Sequence, residues 1–157
     1  MDINKLSLGD KIVAGSGILL FLLILFTPWH EIDFGSEFGL SGGTVTENAF
    51  YGEGDAVGWP ALIAFILLLA VVAVVLIRKL VDSVALPELP IPWNQAIFYA
   101  TVAIPVLLLL KLLLFNDFIA FWAYIDILLG IGMAYGGFLI WKEADVPSTG
   151  SAPPTPF

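Results

Sequence analysis

Four long apolar runs constrain this chain more than any other feature. A helix needs roughly 20 mostly apolar residues to cross about 30 Å of hydrocarbon at about 1.5 Å per residue. The runs at 12–29, 59–77, 96–115 and 118–141 meet that length; Arg78 and Lys79 stop the second and Lys142 closes the fourth. Composition agrees, because 59% of the 157 residues are hydrophobic and 13% are charged, against about 25% charged in soluble domains. So few charges cannot cover a water-facing surface. The expected fold is an all-α membrane protein: an antiparallel four-helix transmembrane bundle over 1–143, with a small β-prone extracytoplasmic loop at 30–58. The stretch 144–157 is small, polar and proline-rich, and reads as a disordered cytoplasmic tail.

The same composition removes many chemistries. With no cysteine there is no disulfide framework, thiolate metal site or cysteine nucleophile, and one histidine excludes a bis-histidine haem within one chain. A net charge of -8 argues against nucleic acid, whose phosphates call for Lys and Arg. No cofactor is implied.

Lys5 and Lys11 before the first run resemble the basic region of a signal peptide, but Thr27-Pro28-Trp29-His30-Glu31 offers no small-residue cleavage site, so the run is read as a retained span. Placing the N-terminus in the cytoplasm puts Lys5, Lys11, Arg78, Lys79 and Lys142 inside and leaves Lys111 toward the outside. Both termini are therefore expected to be cytoplasmic. Trp29, Trp59, Trp93, Trp122 and Trp141 fall at or near predicted span ends, where amphipathic indoles favour the headgroup layer.

The 30–58 loop carries Glu31, Asp33, Glu37, Glu47, Glu53 and Asp55 and no Lys or Arg. Glu31 and Asp33 alternate with Ile32 and Phe34, and Thr44-Val45-Thr46 follows Gly42-Gly43, which predicts two short strands in a two- or three-stranded sheet. Phe34, Phe38, Leu40, Phe50 and Tyr51 are available to pack it onto the helix ends. His30, Glu31, Asp33, Glu53 and Asp55 are weak candidates for a cation site, since the spacing matches no EF-hand and a solvated acidic surface is the simpler account of the acids. His30 is a lone ligand or pH-sensitive group on one reading, and an interfacial residue completing the Trp29 anchor on the other.

Lys111 and Asp126 lie inside predicted spans, where ionisable groups are costly and thus functional candidates. Counted from the ends of a hairpin closed by Asn116-Asp117, they sit about 6 Å and about 12 Å deep, within reach of a lysine side chain. An ion pair between them is expected. The alternative is a snorkelling Lys111 and an Asp126 that faces a polar gap or carries a proton.

Gly130, Gly132, Gly136 and Gly137 permit close helix approach in the fourth span, and Gly15 and Gly17 lie at matching depth in the first. Packing of these two spans is expected, with self-association through the same glycines as the rival. Pro105 predicts a kink in the third span, because it cannot donate to the carbonyl of Thr101. Pro87-x-x-Pro90 has polyproline-ligand spacing; the simpler reading is an amphipathic turn with Leu80, Val81 and Val84 before an extended segment along the headgroups.

Four spans, a long β-prone first outer loop and a very short second one resemble the claudin topology, without the paired loop cysteines or the Trp-Gly-Leu-Trp type motif. The run Leu25-Phe26-Thr27-Pro28-Trp29 and the Gly58-Trp59 pair after a glycine-rich loop are more similar to uncharacterised small four-span membrane proteins of bacteria, especially actinobacteria. That resemblance implies a multi-pass protein of a prokaryotic cytoplasmic membrane and no activity. Three functions follow for consideration. The first is a non-enzymatic integral membrane subunit that binds another membrane protein, or itself, through its helix faces and acidic outer loop. The second is a small oligomeric channel or transporter using Asp126 and Lys111. The third, an enzyme, lacks converging catalytic groups.

Overall fold

A computed structural model of the chain describes residues 5–33, 43–50, 58–80 and 87–144. It contains α1 (Leu8–Phe26), β1 (His30–Asp33), β2 (Thr44–Glu47), α2 (Trp59–Leu80), α3 (Trp93–Leu114) and α4 (Phe121–Ala144). All four helices are long and apolar enough to cross a membrane. Glu37, Phe34, Phe38, Leu40, Gly42, Tyr51, Glu53, Asp55, Val81, Val84 and the tail from 145 onward lie outside the described residues, as does the side chain of Ile32.

Local chemistry shifts most helix boundaries from their sequence-based positions, although α2 starts at Trp59 as expected. α1 starts at Leu8 rather than residue 12 because Ser7 caps it: Ser7 Oγ accepts from the Asp10 backbone N–H at 3.2 Å, and Asp10 Oδ2 accepts from the Ser7 N–H at 3.0 Å. It stops at Phe26, not Trp29, because Pro28 forces Thr27 into an extended conformation (φ -108, ψ 148). α3 starts at Trp93, immediately after Pro92, whose carbonyl accepts from the Gln95 and Ala96 N–H groups. α4 starts at Phe121 rather than 118, because the backbone of residues 118–120 is hydrogen-bonded to Trp29 and Glu31 instead. The hairpin between the last two helices is thus wider than its two-residue expectation.

The helices form a ring in which α1 and α3 each pack on both α2 and α4. Along the ring interior Val13, Leu20, Ile24, Leu68, Ile104, Leu108 and Met133 are fully buried. Glycines set the close approaches. A Cβ on Gly136 would meet Val13 Cγ2 at 2.9 Å, and one on Gly9 would meet the Gly136 carbonyl oxygen at 2.9 Å, so α1 and α4 are nearly in backbone contact. Gly130 packs on Pro105 and Gly137 on Thr101, both on α3, while Gly17 faces Val72 of α2. Among the described residues a Cβ on Gly15 or Gly132 would meet nothing within 4 Å, so neither sets a close helix approach there. α3 is helical through Pro105, and the Thr101 hydroxyl donates to the Phe98 carbonyl at 2.8 Å.

β1 and β2 pair antiparallel, with His30 opposite Glu47 and Asp33 opposite Thr44. The other edge of β1 is used too: the Ala120 N–H donates to the Trp29 carbonyl and the Glu31 N–H to the Phe118 carbonyl, both at 2.8 Å. An isolated bridge joins His30 to Ile119. β1 is therefore flanked by β2 on one edge and by the 118–120 segment on the other, across one end of the bundle, here termed the cap end. Phe118 reaches this register with φ 52, in the left-handed region that favours glycine. The opposite end, where α1 and α3 begin and α2 and α4 finish, is termed the base.

Candidate functional site

Under the cap, two consecutive residues each engage one of the two ionisable groups found inside the apolar helices. Side chains of successive residues in extended chain point to opposite sides. Trp29 therefore turns to α4, where its Nε1 donates to Asp126 Oδ2 at 2.5 Å. His30 turns to α3, where its Nε2 lies 3.2 Å from Lys111 Nζ. Trp29, Lys111 and Asp126 are all fully buried, and His30 is 4% exposed.

The protonation pattern at His30 follows from its partners. Nδ1 lies 2.9 Å from the Asp117 carbonyl oxygen, which can only accept, so Nδ1 carries the proton and Nε2 presents a lone pair to the Lys111 ammonium. Burial, the largest influence, holds the His30 pKa below its ordinary value, and the nearby Lys111 charge adds to this. The Asp117 carbonyl and the Glu47 and Asp117 carboxylates act in the opposite sense. Lys111 Nζ also sits 4.1 Å from the centroid of the ring of Phe115, the C-cap of α3, a cation–π contact.

This arrangement replaces the expected Lys111–Asp126 ion pair. The sequence-based depths assumed that α4 began at Phe118, whereas the 118–120 segment is spent on pairing with β1. That pairing carries Trp29 and His30 down between the helix ends, and each takes one of the two groups. Asp126 Oδ1 is left buried with no hydrogen-bond partner. Trp29, expected as an interfacial anchor, is instead the largest fully buried side chain. His30 is likewise buried rather than interfacial. The other four indoles lie near helix ends: Trp59 and Trp122 are 47% and 41% exposed at the cap end. Trp93 donates to the Pro87 carbonyl at 3.1 Å, and Trp141 stacks on Phe98 with centroids 4.9 Å apart.

Among the described residues no three His, Asp or Glu side chains converge on a metal position. Glu31 and Asp33 of the weak cation candidates are exposed on β1, while His30 is committed to Asp117 and Lys111.

At the base, sequence reasoning missed a second polar group. Asp10, 3% exposed, receives the Lys79 ammonium at 3.4 Å while capping α1. The Ser7-x-x-Asp10 spacing is a helix-start signal that could have located it. A recess of about 290 Å³ opens there, lined by Asp10, Arg78, Lys79, Asn94, Ile140 and Glu143.

No protein-family model, curated protein or solved structure matches the chain.

Proposed function

We propose that this chain is a non-enzymatic integral membrane subunit, spanning the bilayer four times with both ends in the cytoplasm, that holds an acidic outer cap for assembly with another membrane protein. The observation that carries the reading is how the intramembrane ionisable groups are used. Lys111 and Asp126 are engaged at one end of the bundle by residues of the cap. Deeper in the helices, Ser16 and Thr101 return their hydroxyls to carbonyls of their own helix. A relay across the bilayer needs a succession of polar groups, whereas a clamp needs only the pair at the end. The helix surfaces fit the same picture: only 33% of the most apolar stretch of α2 is buried within the chain, and Leu62, Ile63, Ile66 and Leu69 face outward, where lipid or a partner helix covers them.

The clamp ties β1 to α3 and α4, and Glu31 and Asp33 of β1 are exposed. A base-free acidic surface favours a partner that offers Lys or Arg. The test is purification of the full chain in mild detergent, followed by mass measurement of the intact complex. A stoichiometric second membrane polypeptide is expected, and it should be lost from a Glu31→Lys, Asp33→Lys variant that keeps its helical circular dichroism. A complex made of this chain alone in a closed ring would overturn the hetero-assembly reading.

A second reading, a small channel or transporter, draws on one specific atom. Asp126 Oδ1 is buried without a partner, a costly arrangement in a purely structural role. Proton or cation flux into liposomes that is abolished by Asp126→Asn would favour it.

A further inference from the structure

We propose that the recess at the base is a headgroup site for a phospholipid that carries both a phosphate and a primary ammonium, with one acyl chain lying in the adjoining groove between α2 and α3. The inference rests on the membrane-spanning reading above.

The charges of the recess divide into a spent pair and an unspent one. Lys79 and Asp10 neutralise each other at 3.4 Å, and Asp10 is further occupied by the cap of α1. Arg78, Asn94 and Glu143 line the same recess, and none of the three makes a side-chain hydrogen bond or ion pair among the described residues. What remains is one guanidinium, one carboxylate and one amide, facing a space at the lower end of small-ligand pocket sizes. This set is the complement of a zwitterion. Arg78 offers a fork of donors to phosphate oxygens, Asn94 adds an amide donor, and Glu143 accepts from an ammonium. A purely anionic headgroup would satisfy Arg78 and leave Glu143 opposed to it.

The ligand's remainder is indicated by what adjoins the recess. On α2, Val71, Val74 and Arg78 recur at one-face spacing, and on α3 Asn94 is followed by Ile97 one turn on. Val71, Val74, Ile97 and Ala100 line a groove of about 140 Å³ between these helices. The groove lies between the two helices that also carry Arg78 and Asn94, and its lining is apolar. A soluble phosphoethanolamine would leave that groove unused, whereas a lipid fills both parts.

The experiment is native mass spectrometry of the full chain in mild detergent, after exchange into phosphatidylethanolamine, phosphatidylglycerol or deacylated glycerophosphoethanolamine. Wild type is expected to retain phosphatidylethanolamine at least about tenfold more than phosphatidylglycerol, the ratio that corresponds to one good charge-assisted contact. Arg78→Gln should lose the lipid, Arg78→Lys should keep most of it, and Glu143→Gln should erase the preference while leaving phosphatidylglycerol binding in place. Glycerophosphoethanolamine should not bind at concentrations that saturate the lipid. Equal retention of both lipids by wild type, unchanged retention by Arg78→Gln, or binding of the deacylated compound as tight as the lipid's would each overturn the proposal. The assembly reading fails separately, since the partner's mass is read from the same spectrum independently of lipid adducts.

Discussion

Trp29→Phe removes the one donor that Asp126 has among the described residues. The indole Nε1 reaches Oδ2 at 2.5 Å and Oδ1 is already unpartnered, so the variant leaves both oxygens of a fully buried carboxyl without a hydrogen bond. In soluble proteins a hydrogen bond to a charged group contributes about 1.5–3 kcal/mol. Between membrane helices measured couplings reach only about 1.7 kcal/mol, because the unfolded chain in the membrane finds substitute partners. Trp29 and Asp126 are 97 positions apart, and Trp29 is brought down by strand pairing, so nothing local keeps the two together once the fold is lost. The upper part of the membrane range therefore applies, a coupling of about 1.5 kcal/mol, or roughly tenfold in the folded-to-unfolded ratio. Trp29→Phe alone should cost more, about 2–3 kcal/mol, since the smaller ring also leaves a void at a fully buried site. The measurement is a double-mutant cycle of Trp29→Phe and Asp126→Leu, by equilibrium unfolding in mixed micelles of rising SDS content and followed by far-ultraviolet circular dichroism. The double variant should be more stable than the sum of the singles by the coupling energy, because removing both partners leaves neither group unpaired. A coupling below about 0.5 kcal/mol, the ordinary error of additivity, would refute the clamp. So would an equally large coupling between Asp126→Leu and Lys111→Met, which would restore the ion pair.

Three further outcomes follow from the geometry. Because the His30 pKa is depressed by burial, the folded state binds fewer protons than the unfolded one, and stability is greatest above the ordinary imidazole value of 6.5 and declines as pH falls below it. His30→Gln should flatten that part of the wild-type melting temperature profile, and an unchanged slope would show that His30 is not the group responsible. Gly137→Ala puts a Cβ onto Thr101 Oγ1 and should cost about 1–3 kcal/mol, partly rescued by Thr101→Ala; Gly132→Ala, which meets nothing, should be neutral or stabilising in the same unfolding assay. At Phe118, with φ 52, substitution by Val should destabilise by about 1–2 kcal/mol, while Gly should at least match wild type. Equal melting temperatures for the Val and Gly variants would argue against a left-handed backbone there.

The parts of the fold that were legible in the sequence are those set by local or single-helix physics. The four helices follow from run length and hydropathy, and the pairing of β1 with β2 follows from alternation bounded by glycines. The glycines of the fourth span pointed to close approach between it and the first span, which Gly136 makes, but not to the contacts that other glycines of α4 make with α3. Gly136 meets α1, Gly130 and Gly137 meet α3, and Gly132 meets nothing, because facing depends on helix rotation that a small-residue count does not contain. Helix ends were displaced wherever a side chain or proline set them, as at Ser7 and Pro28. Ser7-x-x-Asp10 was readable, since capping is a three-residue interaction.

What only the tertiary structure decided is which groups meet beneath the cap. From the sequence Lys111 and Asp126 were the economical partners, being opposite charges on two helices joined by a short turn. The outcome turned on three residues, Phe118 to Ala120, which join the edge of β1 instead of extending the helix. Pairing there satisfies backbone groups on β1 and inserts Trp29 and His30 between the two charges. The sequence by itself determined that two costly ionisable groups had to find polar partners, because the apolar helices around them offer few. Strand pairing between segments some ninety residues apart decided that those partners would be an indole and an imidazole.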